Sequence, residues 1–154
     1  LGNKKLNIEK AKFLIEKNDI KIEACSSFFE TDSWPNNNFP KYFNIVIKVK
    51  TFFKPQDLLK KIKKIEVLMG RKKLPINYPR ICDIDIIDYH QKNLKINNYD
   101  QKLIIPHPKL HERNFVLLPL YEIAKNWSHP KKNKKISKLL GDLDINNLRS
   151  VKQL

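Results

Sequence analysis

Asp83 and Asp85 stand two apart in a run of β-forming residues. An extended backbone would turn both carboxylates to one face, with Cα atoms about 6–7 Å apart. Such a pair repels itself unless a hard cation intervenes, and Mg²⁺ favours one or two carboxylates completed by substrate phosphate oxygens. Two metals about 4 Å apart can share the pair. Asp-x-Asp also occurs on solvated strand edges, although aspartate is a poor strand former. Pro79-Arg80 directly upstream raises the metal reading. Only four of the 31 basic residues are arginine: Arg71, Arg80, Arg113 and Arg149. Arginine offers phosphate a planar fork that lysine lacks. Arg71, Arg80 and Arg113 all lie near other chemically capable residues, whereas Arg149 reads as tail surface. Arg80, Asp83 and Asp85 therefore read as the centre of a magnesium-and-polyphosphate site.

The chain has three glycines and no glycine-rich phosphate loop ending in Lys-Ser/Thr. Side chains and metal must then hold the phosphates. Arg71, Lys72 and Lys73 open the 71–80 loop and Arg80 closes it, so cations at both ends can fold over a triphosphate and exclude water. A merely basic loop has the same composition. His107, between Pro106 and Pro108, is rigidly placed, either to donate to a phosphate oxygen or to cap local backbone. Arg113 and Phe115 alternate at the start of a helical segment, where Phe115 is core or a ligand shelf.

Several elements must position these groups. Apolar residues Ile8, Ala11, Leu14 and Ile15 give residues 7–17 a helical period. Residues 20–29 and 42–53 read as strands. In the second, Phe43, Ile45, Ile47 and Val49 face one way, and Tyr42, Asn44, Val46, Lys48 and Lys50 the other. Residues 31–41 read as a loop. Pro55 opens a helix striped by Leu58, Ile62, Ile65 and Met69, and Gly70 ends it. Residues 81–89 read as a strand with Cys82, Ile84 and Ile86 opposite Asp83 and Asp85. A polar turn at 97–101 precedes a short strand, Leu103–Ile105. Residues 112–125 read as a helix kinked or split by Pro119, followed by a lysine-rich stretch and a short amphipathic end. The order suggests a single α+β domain over 1–154, a sandwich with helices on one face of a mostly antiparallel sheet. The opposite face would carry a ring, an amide and two carboxylates.

Length and 41% hydrophobic content suit a globular domain. No apolar run approaches a membrane span, and no signal-like segment opens the sequence. Cys25 and Cys82 read as buried reduced thiols, which suits the cytoplasm. The net charge of +15 predicts attraction to anions, though most lysines read as solvated surface. An RNA-binding module would exploit that charge. Yet the chain lacks an aromatic RNP1 run, and Asp83 and Asp85 would repel phosphate. A two-metal nuclease would use the carboxylates but leaves Tyr42, Asn44 and Phe115 unexplained.

Separated motifs, in order, resemble one family. They are Glu30-Thr31, Tyr42-Phe43-Asn44, Glu66 to Gly70-Arg71, Pro79-Arg80-Ile81-Cys82-Asp83-Ile84-Asp85-Ile86-Ile87, Ile105-Pro106-His107-Pro108-Lys109-Leu110, and Arg113-Asn114-Phe115-Val116-Leu117-Leu118-Pro119-Leu120. To about residue 130 the chain is similar to 6-hydroxymethyl-7,8-dihydropterin pyrophosphokinases. The resemblance implies a ferredoxin-like α/β sandwich, ATP as co-substrate, and transfer of diphosphate from ATP to the pterin hydroxymethyl group in folate biosynthesis. A monomer acting on these two small molecules, without nucleic acid or membrane, is expected. Asp83 and Asp85 match ligands of two Mg²⁺ ions, Asp83 also beside the pterin and Asp85 among the catalytic groups. Tyr42 and Phe115 match the pterin sandwich, and Asn44 and Thr31 its polar edge. Arg71 and Arg80 match catalytic arginines of a mobile loop; His107, Arg113 and again Arg80 match triphosphate contacts. Glu66, Lys73, Ile86 and Lys102 match further nucleotide contacts.

Some positions depart from the family pattern. Ile76-Asn77-Tyr78 stands where Arg-Trp is common, in a loop one residue shorter. Lys73 replaces arginine, Ile104 a hydroxyl residue, and Asp32-Ser33 a proline-rich pair. The family's first strand precedes the match to Leu1-Gly2-Asn3, so a 154-residue form without it is expected to have a gap in its sheet and poor stability.

Overall fold

The structure, a computed structural model, describes residues 2–32, 40–71, 81–98 and 101–154. Chain order is α1 (Lys4–Lys17), β1 (Lys21–Cys25), β2 (Phe29–Thr31), β3 (Tyr42–Asn44), β4 (Ile47–Lys50), α2 (Pro55–Leu68), β5 (Leu94–Asn98) and β6 (Gln101–Ile105). A 3₁₀ turn (Leu110–Glu112) leads to α3 (Asn114–Ile123), β7 (Ser128–His129), β8 (Lys134–Lys135), α4 (Ile136–Gly141), α5 (Ile145–Arg149) and β9 (Lys152–Gln153). Every strand pairing among the described residues is antiparallel. The result is a mixed α+β fold, and no helix among the described residues is long and apolar enough to cross a membrane.

Helix α1 starts one turn earlier than its apolar period suggests. The Asn3 side chain accepts from Leu6 N–H at 3.1 Å, and this cap fixes the start before any buried residue appears. Helix α2 ends as its sequence suggests. Gly70 has φ +92°, its N–H donates to Val67 O (2.9 Å), and Arg71 N–H reaches back to Glu66 O (3.0 Å). This is a Schellman turn, which needs a left-handed residue that glycine adopts without penalty.

The two long strands expected over 20–29 and 42–53 are each broken. β1 pairs with β4 as far as Cys25 opposite Ile47, and β2 pairs with β3 from Phe29 opposite Asn44. Residues 26–28 therefore face only residues 45–46, one extra residue on the first strand. Such a bulge bends a ladder. Ser26 stitches it: its N–H donates to Val46 O (3.0 Å), and its Oγ accepts from Val46 N–H (3.0 Å).

Residues 81–89 were expected to be a strand; no ladder partner pairs with them among the described residues. The alternation survives, with Asp83 and Asp85 exposed and Cys82, Ile84 and Ile86 turned to the core. Other groups hold the segment extended. Ile84 N–H donates to Glu66 Oε1 (2.8 Å), Ile87 O accepts from His107 N–H (2.9 Å), and the Tyr89 hydroxyl donates to Phe53 O (2.9 Å). Periodicity reports which side chains are buried, whereas a strand also requires a neighbour.

Apolar side chains of the strands face both ways. Ile22, Ile47 and Val49 pack with Ala11, Ile15, Leu58, Ile62 and Ile65 of α1 and α2. Val46 packs instead with Leu110, Val116, Leu117 and Leu120 of the α3 region and Ile136 and Leu139 of α4. Helices on one face thus account for α1 and α2 but not for α3 and α4. Helix α3 runs through Pro119 without splitting. Strand β5 was not anticipated: it pairs with β6 from Leu94 opposite Ile105 to Asn98 opposite Gln101. Cys25 is exposed rather than buried, because it falls on the outward register of β1.

Candidate active site

The outward side of residues 81–85 forms the centre of the site. Asp83 and Asp85 are about half exposed, and each faces an arginine. Arg71 Nη1 lies 3.4 Å from Asp83 Oδ1, and Arg113 Nη1 lies 3.7 Å from Asp85 Oδ2. Arg71 is delivered by the Schellman turn and Arg113 by the residue before α3. Two remote helix ends thereby converge on one extended segment.

Glu66 organises this convergence. Its side chain is 1% exposed. One carboxylate oxygen accepts from Ile84 N–H; the other accepts from Lys63 Nζ (3.0 Å) and from the Arg71 guanidinium. Each of the three donors replaces a water that burial takes from the carboxylate.

Beside Asp85 opens a cavity of about 230 Å³ lined by Leu59, Lys63, Ile84, Asp85, Ile86, Lys102, Leu103, Ile104, His107 and Pro108. Apolar walls with cations at the rim suit a flat heterocycle carrying phosphates. Burial lowers the His107 pKa, and the neighbouring Arg113 lowers it further. The ring is thus neutral at neutral pH. Lys109 N–H donates to His107 Nδ1 at 3.2 Å, which leaves Nε2 to carry the proton and act as a donor.

A second group lies on β2 and β3. Thr31 and Tyr42 are a cross-strand pair, and Asn44 Nδ2 donates to Thr31 Oγ1 at 3.0 Å. Helix α3 packs across β2 and β3, and Glu122 near its end accepts from Ser27 N–H (3.1 Å) and Ser27 Oγ (2.8 Å). Phe115, half-buried in the first turn of α3, lies 5.6 Å beneath the Arg113 guanidinium.

Of the expected residues, Asp83, Asp85, Arg71 and Arg113 meet directly. Ile86, Lys102 and His107 line the cavity beside them, while Thr31, Tyr42 and Asn44 share one ladder. Glu66 does not itself line the cavity, but its partners Lys63 and Ile84 do. Arg80 and Lys73, with Lys72 and Tyr78, lie outside the described residues. Lys63 and Leu59 went unforeseen in the cavity wall. No sequence signal singled them out: Lys63 is one of many lysines, and its place three residues before Glu66 tells only once the burial of Glu66 is known.

Among the described residues no three or more His, Cys, Asp or Glu side chains gather as a ready-made metal cage. Asp83 and Asp85 offer hard oxygen donors on an open face, which fits Mg²⁺ if phosphate oxygens complete its shell.

A sequence description of 7,8-dihydro-6-hydroxymethylpterin-pyrophosphokinases matches residues 1–125. The chain belongs to this pyrophosphokinase family. A folic acid synthesis protein of Dictyostelium discoideum is 42% identical over 130 residues, covering 84% of this chain and 19% of that protein. The 2-amino-4-hydroxy-6-hydroxymethyldihydropteridine pyrophosphokinase of Aquifex aeolicus is 40% identical over 111 residues, 72% of this chain and 67% of the relative. Its namesake from Synechocystis is 34% identical over 125 residues, 81% and 62% respectively. The matched pyrophosphokinase region thus spans about a fifth to two thirds of these relatives.

Proposed function

We propose that this chain transfers the β,γ-diphosphate of ATP to the hydroxymethyl group of 6-hydroxymethyl-7,8-dihydropterin, releasing AMP, as a step of folate biosynthesis. The observation that carries this reading is the pairing of Asp83 with Arg71 and Asp85 with Arg113 beside the cavity of Lys63, Lys102 and His107. A nuclease needs the carboxylates but not this apolar wall, nor the Thr31, Tyr42 and Asn44 group on β2 and β3. A cytoplasmic monomer with a ferredoxin-like sandwich, binding neither nucleic acid nor membrane, completes the reading.

ATP would lie with its base against Ile86, Leu103 and Ile104, and its phosphates toward Lys102, His107, Arg113 and the loop bearing Lys73 and Arg80. The pterin would stack between Tyr42 and Phe115, its polar edge read by Asn44 and the Thr31 region. Two Mg²⁺ ions held by Asp83 and Asp85 would neutralise the triphosphate and align the reacting oxygens. In transfer, the pterin hydroxyl oxygen bonds to the β-phosphorus as the bond to the α,β-bridging oxygen breaks. AMP leaves, and the hydroxyl proton passes to Asp85 or to water. His107, neutral, donates from Nε2 to a phosphate oxygen. Arg71 and Arg80 would close over the transferring group. Little covalent help is needed, since positioning and charge neutralisation carry phosphoryl transfer.

AMP release from ATP, Mg²⁺ and hydroxymethyldihydropterin tests the proposal. Asp83→Ala and Asp85→Ala should each lower kcat by at least about 10²-fold, the scale of losing one group that stabilises developing charge. Full activity in either variant would sink the assignment. RNA binding without AMP formation would favour a binding module instead.

A further inference from the structure

The segment after residue 143 lies beyond the stretch matched to the family, yet it touches both walls of the proposed pterin pocket. On one side β9 pairs with β2, Phe29 opposite Gln153 and Glu30 opposite Lys152, and Leu154 N–H donates to Phe28 O at 2.9 Å. The other neighbour of β2 is β3, which bears Tyr42 and Asn44. On the other side stands Asn114, 8% exposed, between Arg113 and Phe115. Its Nδ2 donates to Asn147 O (2.5 Å) and Ser150 Oγ (3.1 Å), and its Oδ1 accepts from Phe115 N–H (2.7 Å). Both amide donors are thus committed to the C-terminal segment. That segment is itself held by Asp144, which caps α5 by accepting from Asn146 N–H (2.8 Å), and by the Ser150 hydroxyl donating to Asn147 O (2.7 Å).

We propose that Asn114 and Ser150 are positioning residues for the pterin, through which residues 144–154 fix the spacing between the β2–β3 wall and the Phe115 wall. This rests on the pyrophosphokinase reading. A ring sandwiched between two walls binds well only if their separation is set in advance. The cavity proposed for the ATP base is lined by residues of other elements, and Arg113 is anchored separately on Asp85, so the effect should fall mainly on the pterin.

The test uses the full chain and steady-state kinetics with each substrate varied in turn. Asn114→Asp keeps the size and the acceptor for Phe115 N–H but removes the donors. It should raise the pterin KM about tenfold, the scale on which lost polar contacts of ordinary strength act. Ser150→Ala should raise it about threefold, and Ser150→Thr should restore it by returning the hydroxyl. ATP KM and kcat should stay within about twofold of wild type in all three. An unchanged pterin KM, an equal rise in both KM values, or a fall in kcat alone would overturn the proposal. If Asn114→Asp does not fold, the Ser150 pair decides. A wild-type chain that forms no AMP fails the pyrophosphokinase reading instead. Titration of hydroxymethylpterin fluorescence then decides the positioning role: weaker binding in the variants supports it, and equal or no binding overturns it.

Discussion

Asp83 and Asp85 face arginines before any nucleotide arrives, so ATP must exchange partners rather than enter an empty field. In the proposed reaction phosphate would take the guanidinium groups while the carboxylates would turn to metal. Partly exposed ion pairs of this kind hold only about 0.2–1 kcal/mol, weak enough to be broken by a triphosphate. One consequence is a reversal of sign. Without Mg²⁺, Asp85→Ala should bind ATP about two- to fivefold more tightly than wild type, because Arg113 is released and a repelling charge is gone. With Mg²⁺ the same variant should bind more weakly; calorimetric titration under both conditions checks this. The histidines give a pH prediction. Burial lowers the folded-state pKa of both His107 and His129 from the ordinary 6.5. Between the lowered value and 6.5 the unfolded chain binds more protons, so stability is full above 6.5 and falls as pH drops through that window. Denaturant midpoints from pH 7.5 to 5 should decline accordingly, and His129→Gln should flatten the slope. That Asp83, Asp85, Arg71 and Arg113 belong together was legible in the sequence, because the scarcity of arginine and the two-residue spacing of the aspartates survive without coordinates. Lys63 was not legible, since nothing separates it from many other lysines until its helix face is known.

At the level of elements, the turn after α2 matters most. Gly70 sits at φ +92°, and a Cβ there would meet Ile81 Cδ1 at 3.1 Å. Gly70→Ala should destabilise the fold by about 1–2 kcal/mol and, by moving Arg71, lower activity beyond what lost stability explains. Thermal melts alongside rates at a permissive temperature separate the two effects. The ends of α2 were readable because proline and glycine act through local backbone geometry, whereas the Asn3 cap that starts α1 was missed. Strand continuity was not. The break at Ser26–Phe28 against Ile45–Val46 is a mismatch of one residue between distant segments, and neither segment encodes it alone. The 81–89 segment makes the same point, for its inward and outward residues were read correctly while its hydrogen-bond partners were not. Strand β5 was missed because Leu94, Ile96 and their polar neighbours reveal a half-buried ladder only once β6 is beside them.

Over the whole molecule, two apolar clusters lie on opposite sides of the strands, and the site forms where α2, the 81–89 segment and the start of α3 come together. The net charge of +15 acts at this scale. Because exposed charges are screened beyond about 10 Å at 0.1 M salt, raising ionic strength should raise the KM for ATP severalfold. The KM for an uncharged pterin should barely move, and rates across a salt series check the contrast. An α+β order was legible from alternating periods, whereas packing on both sides of the strands was not, because Val46 looked like one more member of a polar face. The buried carboxylate of Glu66 has a wider consequence. It grips both Arg71 and the backbone of Ile84, so the end of α2 and the aspartate-bearing segment are fastened to each other directly. The aspartates then owe their place to that clasp and not to the sequence of residues 72–80. An engineer, or natural drift, can therefore rewrite those nine residues while leaving the ground on either side of them untouched.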